Sequence, residues 1–386
     1  MTHRLRLLSL YLYFGVYFVS CGLTMFASRY MGVIGLDNSQ IGIITAIPAF
    51  VSIFAQPLWG MISDRSAHKN TSIIVGFLLA ALCAFAAHVS GSRYLPLLAA
   101  LTLLNTMTLP ATPVGTSIAL EYTAQTGSSY GPVRMSGTIG YQLSILVAGF
   151  LLSEQLTGYY AIYGVTLLCC AFCAMLLPPT KGHQHGGQKV PLIDMLKNRR
   201  LMSLLAVVFI AQVVAQFFNA FFTKYLGDIG IGNSVTGIIT TLTVVMEIPF
   251  LIFFGDRIFK KLTIIQWMWL GLIINGLRFV ALSYVRSPLV ILLTQLPSVA
   301  LFACFEFFPV LYLKEIVGKE VLSTAQSVFQ MTSFGLARIV GASAGGMLAQ
   351  ALGIAPVFRM GGVMLLVCAA VMIPSVRLPH RKEPDR

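Results

Sequence analysis

Charged residues are scarce in this sequence. Asp, Glu, Lys and Arg together make up 10% of its 386 residues, and only 13 residues are acidic. A soluble domain usually contains about 25% charged residues, whereas hydrophobic residues here reach 57%. Because the apolar residues extend along nearly the whole chain, the composition excludes both a secreted enzyme with a signal peptide and a single-span receptor.

Nucleotide-binding and metal-binding patterns are also missing. No loop of the form GxxxxGKS or GxxxxGKT occurs, which argues against ATP-driven transport. The seven cysteines lie in apolar runs, and Cys170 and Cys173 form a CxxC pair without a second pair, so packing is favoured over a metal or redox site. We therefore expect no enzymatic activity, no metal and no organic cofactor.

The apolar runs predict an all-α membrane protein with twelve transmembrane helices. A span takes about 20 residues, so the chain accommodates about a dozen spans with short turns. The stretch between the sixth and seventh runs is polar and rich in glycine and basic residues, as in a solvated linker. We predict two pseudo-symmetric six-helix bundles, 1–178 and 201–386, joined by a cytoplasmic linker at 179–200 and ending in a short cytoplasmic tail.

The positive charges predict the orientation of the chain. With the amino terminus inside, the predicted cytoplasmic segments hold 18 Lys and Arg residues and the outer loops hold four. This bias predicts that both termini are cytoplasmic, in a bacterial inner membrane. The net charge of +13 therefore reflects membrane orientation and not nucleic-acid binding. The expected partners are membrane lipid and a small-molecule substrate, and we expect the chain to function as a monomer.

The two predicted halves contain a repeat. Residues 29–45, RYMGVIGLDNSQIGIIT, and residues 224–240, KYLGDIGIGNSVTGIIT, are identical at ten of seventeen positions. The matches include two polar pairs, Asn38 with Asn233 and Ser39 with Ser234, so chance similarity between apolar segments is a poor explanation. The repeat indicates a duplicated six-helix unit whose copies face each other across a central cavity.

The end of the second predicted helix carries a loop motif. Gly60 is followed by Met-Ile-Ser and then by Asp64 and Arg65, with a basic cluster after them. This stretch resembles the loop signature of the major facilitator superfamily, and the eighth helix ends in a degraded copy with Asp256 and Arg257. The resemblance implies a two-bundle transporter in which these residues control gating, with Asp64 pairing with a basic residue in one conformation only.

Acidic residues inside the predicted spans are rare. Only Glu121, Glu247 and Glu306 lie there, and a carboxylate near the bilayer centre costs about 2.5–3.5 kcal/mol on insertion scales. Such groups face the bundle interior and usually serve transport, although a structural ion pair between two helices is the plainer alternative.

The fifth predicted helix resembles lactose permease. Both sequences share the pattern GxxRMxG followed by an aromatic residue. In this chain the arginine of the pattern is Arg134 and the aromatic residue is Tyr141. In that family the arginine and a glutamate of the preceding helix bind sugar hydroxyls and the aromatic residue stacks on the sugar ring. The resemblance implies that Arg134, Tyr141 and Glu121 contact substrate. Glu121, only 13 residues before Arg134, could instead neutralise Arg134 at the cytoplasmic rim.

The second half contains an arginine and a glutamate that resemble the proton-coupling pair of the same permease. These are Arg278 and Glu306, and the family's histidine three residues before the acid is Ala303 here. A carboxyl group removed from water holds its proton, and an arginine brought close promotes its release. Glu247, on the eighth helix, could be a second proton site or a substrate acceptor.

A further arginine, Arg338, falls in the middle of the eleventh predicted helix. A guanidinium group stays charged, so it needs an anion or several carbonyl groups around it. If Glu306 is committed to Arg278, then Arg338 pairs with Glu247 or meets an anionic group of the substrate.

The whole pattern predicts a proton-coupled symporter with alternating access, close to the lactose permease, nucleoside:proton symporter and phenylpropionate permease grouping. Its substrate would be a sugar or oligosaccharide, a nucleoside or an aromatic acid, and its coupling ion a proton. The alternative is a proton-coupled drug or metabolite efflux antiporter of the same fold. That class carries a Gly- and Pro-rich stretch at the end of the fifth helix, and residues 147–152 contain no proline.

Overall fold

The structure is a computed structural model of the chain. It describes residues 3–65, 69–152, 158–178, 198–243, 262–298, 305, 308–316 and 322–377. Every regular element in these ranges is a helix. Seven of the helices there are long and apolar enough to cross a membrane. The predicted all-α membrane fold is therefore confirmed.

The helices follow the apolar runs of the sequence. Those before the predicted linker are α1 (His3–Leu23), α2 (Ala27–Val33), α3 (Asn38–Arg65), α4 (Lys69–Ser90), α5 (Tyr94–Thr108), α6 (Ala111–Thr126), α7 (Tyr130–Leu151) and α8 (Tyr159–Met175). Those after it are α9 (Arg199–Asp228), α10 (Ile264–Leu282), α11 (Pro288–Gln295), α12 (Phe308–Ile316), α13 (Leu322–Gln330), α14 (Ala337–Leu352) and α15 (Ile354–Arg377). Residues 233–243, between α9 and α10, are also helical.

The first predicted span is interrupted near its predicted outer end. A 3-10 turn at Thr24–Phe26 separates α1 from α2. The Tyr159 hydroxyl donates to the Leu23 carbonyl oxygen at 2.8 Å, and the Thr223 hydroxyl donates to the Met25 carbonyl oxygen at 2.6 Å. Donors from other helices therefore satisfy carbonyl groups at the break, where no water of the bilayer core could do so.

The fourth predicted span is also interrupted, between α5 and α6. Pro110 has no backbone N–H and cannot continue the hydrogen-bond ladder of α5. The Tyr13 hydroxyl donates to the Ala111 carbonyl oxygen at 2.8 Å, and the Tyr17 hydroxyl lies 2.7 Å from Thr112 Oγ1. The tyrosines of α1 thus hold the start of α6, the helix that carries Glu121.

Glycines let α1 and α7 approach closely. A Cβ at Gly140 would overlap the carbonyl oxygen of Gly15, and a Cβ at Gly22 would lie 2.6 Å from the carbonyl oxygen of Tyr141. Small residues at such positions allow membrane helices to pack when lipid supplies no hydrophobic drive between them. Helix α7, which carries Arg134 and Tyr141, therefore packs closely against α1.

The chain forms two compact units. The first comprises Met1–Gln188, Asn219–Thr241 and Ala342–Gln350, and the second comprises Lys189–Phe218, Leu242–Gly341 and Ala351–Arg386. Compact units defined by spatial contacts need not follow chain order, so the division into bundles at 1–178 and 201–386 stays a prediction.

The first unit contains both copies of the sequence repeat. Ser28 Oγ lies 3.2 Å from Thr223 Oγ1, and these residues are 195 positions apart, the same offset as the repeat. Each residue therefore contacts its own counterpart, as expected near a two-fold axis that relates two copies. The contact agrees with the duplication inferred from the sequence, which stays a prediction.

Both copies of the repeat asparagine pack against a glycine of another helix in this unit. A Cβ at Gly346 would lie 2.6 Å from the Asn38 carbonyl oxygen, and a Cβ at Gly149 would lie 2.8 Å from the Asn233 carbonyl oxygen. Asn38 Nδ2 also donates to the Ala349 carbonyl oxygen at 3.1 Å. We call these two glycine contacts the outer contact layer, since charge places them on the predicted outer side.

The copies differ at their first residue. Arg29 is buried, and its guanidinium group donates to the Ile231 carbonyl oxygen at 2.9 Å and to Thr236 Oγ1 at 3.2 Å. Its counterpart Lys224 forms an ion pair of 3.1 Å with Asp228, one turn along the same helix. The arginine thus ties α2 to a more distant segment of the first unit, whereas the lysine is paired locally.

The predicted gating motif lies partly in the described chain. Gly60, Asp64 and Arg65 form the last turns of α3, which ends at Arg65. Asp256 and Arg257 lie outside the described residues. The gating role of all five residues stays a prediction.

Candidate substrate and proton sites

Arg134 lies in the first turns of α7, with its side chain exposed. Its guanidinium carbon lies 4.3 Å from the ring centroid of Phe18 on α1, a cation–π geometry. Within the described chain, Arg134 forms no ion pair with a carboxylate, and its contact with Phe18 leaves the N–H groups at its edge available. An arginine in a membrane helix without an acidic partner is poised to receive an acceptor from a ligand.

Tyr141 lies two turns after Arg134 on the same helix, half-buried. Seven residues of α-helix rise about 10.5 Å, and the two positions share a face. Glu121 lies on α6, also half-buried. In the described part of the chain, Glu121 and Arg134 do not form an ion pair with each other.

Arg278 is buried on α10 in the second unit, among neutral oxygen atoms. Its Nε donates to the Thr294 carbonyl oxygen at 3.0 Å, its Nη1 donates to Asn275 Oδ1 at 3.4 Å, and its Nη2 donates to Gln295 Oε1. The rings of Phe218 and Phe279 lie 4.8 and 5.1 Å from its guanidinium carbon. These hydrogen bonds and ring contacts fix the position of the guanidinium group inside the second unit.

Sequence reasoning missed these partners of Arg278. The signal was present, since Asn275 and Gln295 are polar amides inside apolar runs, and a buried amide needs a hydrogen-bond partner. The sequence could not show which helix faces which, so an amide on α11 could not be assigned to an arginine on α10.

Arg338 lies in the first turn of α14, directly after a π-helical segment at Met331–Leu336. Its side chain is exposed, and among the described residues it has no ion pair or hydrogen bond. Single π-helical turns widen a helix locally and are frequent at functional sites. The structure thus presents Arg338 as an accessible charge, while Glu247, its predicted alternative partner, lies outside the described residues.

The predicted proton acceptor Glu306 also lies outside the described residues. Its neighbour Phe305 is described and buried. The predicted pairing of Glu306 with Arg278 therefore stays a prediction. Among the described residues, no three His, Cys, Asp or Glu side chains form a group that could hold a metal ion.

A family comparison covers most of the chain. The MFS_1 like family matches residues 5–360, and the chain belongs to this family of major facilitator superfamily transporters. The protein is therefore an integral membrane transporter and not an enzyme. The resemblance inferred from the loop motif is confirmed.

Individual relatives differ in what they transport. The uncharacterized transporter YwbF of Bacillus subtilis (strain 168) is 23% identical over 335 residues, which cover 85% of this chain and 82% of YwbF. The maltose permease of Geobacillus stearothermophilus is 26% identical over 257 residues, 66% of this chain and 64% of the permease. A homologue of the multi-drug resistance efflux pump PmrA from Lactococcus lactis subsp. lactis (strain IL1403) is 22% identical over 310 residues, 71% of this chain and 72% of that protein.

Solved structures give the fold. The crystal structure of the nucleoside transporter NupG matches with a TM-score of 0.85 at 17% identity, covering 98% of this chain and 100% of that one. At this identity the likeness shows the fold alone. The fold is that of the major facilitator superfamily, with twelve transmembrane helices in two pseudo-symmetric six-helix bundles.

Proposed function

We propose that this transporter imports a small organic solute together with protons by alternating access, as a monomer in a bacterial inner membrane with both termini cytoplasmic. The observation that carries the proposal is Arg134, an exposed guanidinium group on a membrane helix that is stacked on Phe18 and has no carboxylate partner in the described chain. A charge kept in a membrane protein at such a cost is expected to serve transport.

Arg134 and Tyr141 form the proposed substrate contact in the first unit. A planar guanidinium group donates two parallel hydrogen bonds to a carboxylate, to paired hydroxyl groups or to the acceptors of a nucleobase. An aromatic ring two turns away offers a flat apolar surface to a sugar, a base or a phenyl ring. Glu121, on the adjacent α6, is the proposed acceptor for substrate hydroxyl groups.

The environment of Arg278 supports a coupling role in the second unit. Hydrogen bonds to a backbone carbonyl oxygen and to two side-chain amide oxygens hold its guanidinium group at a buried position on a membrane helix, where a buried charge usually serves transport. We propose that Glu306 approaches Arg278 in one conformation and releases its proton there, and that Glu247 is a second proton site. The loop residues Gly60, Asp64, Arg65, Asp256 and Arg257 are the proposed gating residues.

Uptake by whole cells tests the substrate class. Cells that express the transporter are given radiolabelled maltose, uridine or 3-phenylpropionate, with and without a protonophore. We expect accumulation of one of these classes that collapses when the protonophore is added. Greater accumulation in cells without the transporter would instead favour the second candidate, an efflux antiporter, which the similarity to the PmrA homologue suggests.

Arg134→Lys should raise the apparent KM of the transported probe about tenfold or more, because an ammonium group keeps the charge but loses the planar bidentate fork. The matched control is Arg359→Lys in the second unit, where Arg359 lies 4.1 Å above the Tyr284 ring and its Nε donates to Ser283 Oγ. Initial rates of labelled uptake measure both variants. An unchanged KM in Arg134→Lys would remove Arg134 from the substrate site.

Arg338→Gln should abolish a preference for anionic substrates. The accessible charge of Arg338 lies after the π-helical segment, and it favours a substrate carboxylate if no protein acid neutralises it. Inhibition of uptake by 3-phenylpropionate and by the neutral 3-phenylpropanol is compared between wild type and the variant. The same ratio of inhibition in both proteins would return Arg338 to a structural ion pair with Glu247.

A further inference from the structure

The ring of Phe18 covers one face of the Arg134 guanidinium group. The guanidinium carbon lies 4.3 Å from the ring centroid, Phe18 is half-buried and Arg134 is exposed. Arginine has a long side chain with many rotamers, and a ligand that binds to it must first restrict them. A ring beneath the guanidinium group removes part of that freedom before any ligand arrives.

The surroundings hold the Phe18 ring in place. On α1, the ring lies edge-on to Tyr17 with centroids 5.1 Å apart, and nearly parallel to Phe14 at 6.4 Å. On α7, a Cβ at Gly137 would lie 2.6 Å from Phe18 Cδ2. Gly137 lies one turn after Arg134 and therefore on the same side of α7. The space for the ring exists because this position has no side chain.

We propose that Phe18 is a positioning residue for Arg134, and that Gly137 provides the space for its ring. This inference rests on the proposed substrate role of Arg134. With one face of the guanidinium group against Phe18, a ligand meets the opposite face and the N–H edge. The site thus presents a preset plane of donors, which selects substrates with two acceptor atoms in one plane and disfavours a single point acceptor.

Two substitutions of Phe18 distinguish the effect of the aromatic ring from the effect of side-chain volume. Phe18→Leu keeps an apolar side chain but removes the π system. The probe is whichever of labelled maltose, uridine and 3-phenylpropionate the wild type accumulates. We expect its apparent KM to rise about three- to tenfold, with Vmax unchanged. Phe18→Tyr restores a ring and should return KM to within about twofold of wild type. Loss of Vmax with unchanged KM in Phe18→Leu would overturn the proposal.

Phe85→Leu is the matched control. Phe85 is also half-buried in the first unit and also faces a helix glycine, since a Cβ at Gly164 would lie 3.1 Å from Phe85 Cζ. No arginine stacks on its ring in the described part of the chain. A general packing effect would raise KM in both variants, and that result would contradict a specific role for Phe18.

A double-mutant cycle connects Phe18 to Arg134. In an Arg134→Lys background, Phe18→Leu should raise KM no further, because the group that it positions is gone. Independent, multiplicative effects would overturn the inference and leave the role of Arg134 intact. An unchanged KM in Arg134→Lys alone, or no accumulation of any probe by the wild type, would instead overturn the proposed function and this inference with it.

Gly137→Ala supplies a second route if Phe18→Leu fails to reach the membrane. An added methyl group would lie 2.6 Å from Phe18 Cδ2 and must displace the ring, so we expect the same rise in KM from a change on α7. The comparison variant is Gly131→Ala on the same helix, where the nearest atom to an added Cβ is Ser129 Oγ at 3.7 Å. Equal KM values for Gly137→Ala and wild type would contradict the inference.

Discussion

Gly346→Leu is expected to abolish transport. In the first unit, a Cβ at Gly346 would lie 2.6 Å from the Asn38 carbonyl oxygen and 2.9 Å from Gly42 Cα. Both neighbours are backbone atoms of α3, so the contact cannot yield by rotation of a side chain. A leucine at this position therefore prevents α14 from packing against α3 in the outer contact layer. In the proposed cycle, the protein then cannot close on the predicted outer side.

Gly346→Leu should affect substrate binding and substrate uptake differently. Binding from outside does not need the outer contact layer to close, so labelled probe should still bind to the variant while uptake falls below about a tenth of wild type, as alternating access requires. Gly131→Leu on α7 is the control, because a Cβ at Gly131 makes only an ordinary van der Waals contact, 3.7 Å from Ser129 Oγ. Normal uptake by Gly346→Leu would show that this contact does not have to form during transport.

Glu306→Gln is expected to abolish accumulation against a gradient. The amide resembles a carboxyl group that never releases its proton, so the loaded carrier still crosses but cannot be driven by protons. Exchange of labelled for unlabelled substrate across the membrane should therefore persist. The buried Arg278, held by neutral oxygen atoms, is the proposed trigger for the release that the variant lacks.

The control for Glu306→Gln is Glu383→Gln, which makes the same change in the predicted cytoplasmic tail. Uptake and exchange are measured in the same membrane preparation for both variants. Accumulation by Glu306→Gln equal to that of wild type would exclude Glu306 as the coupling site and leave Glu247 as the remaining candidate in the second half.

The helical fold and the superfamily were predictable from the sequence. The helices follow apolar runs whose length matches a bilayer, and the loop at Gly60 and Asp64 identified the superfamily. The repeat offset of 195 was also visible in the sequence, and Ser28 and Thr223, which are 195 positions apart, contact each other. These features were accessible because each depends on local composition or on spacing along the chain.

The interior of the site was less predictable. The 3-10 turn at Thr24–Phe26 and the π-helical segment before Arg338 contain no proline, and their hydrogen bonds depend on other helices. The stacking of Arg134 on Phe18 depends on the close approach of α1 and α7, which a sequence pattern does not specify.

Purified transporter in liposomes tests the central claim most directly. A pH gradient is imposed with the acidic side outside, and the internal concentration of the labelled probe is followed together with internal pH. Proton-coupled uptake predicts that the probe accumulates above its external concentration, that adding the probe speeds the entry of protons, and that a protonophore, which dissipates the pH gradient, abolishes the accumulation. Probe that leaves preloaded liposomes as protons enter, or transport that ignores the gradient, would contradict proton-coupled uptake.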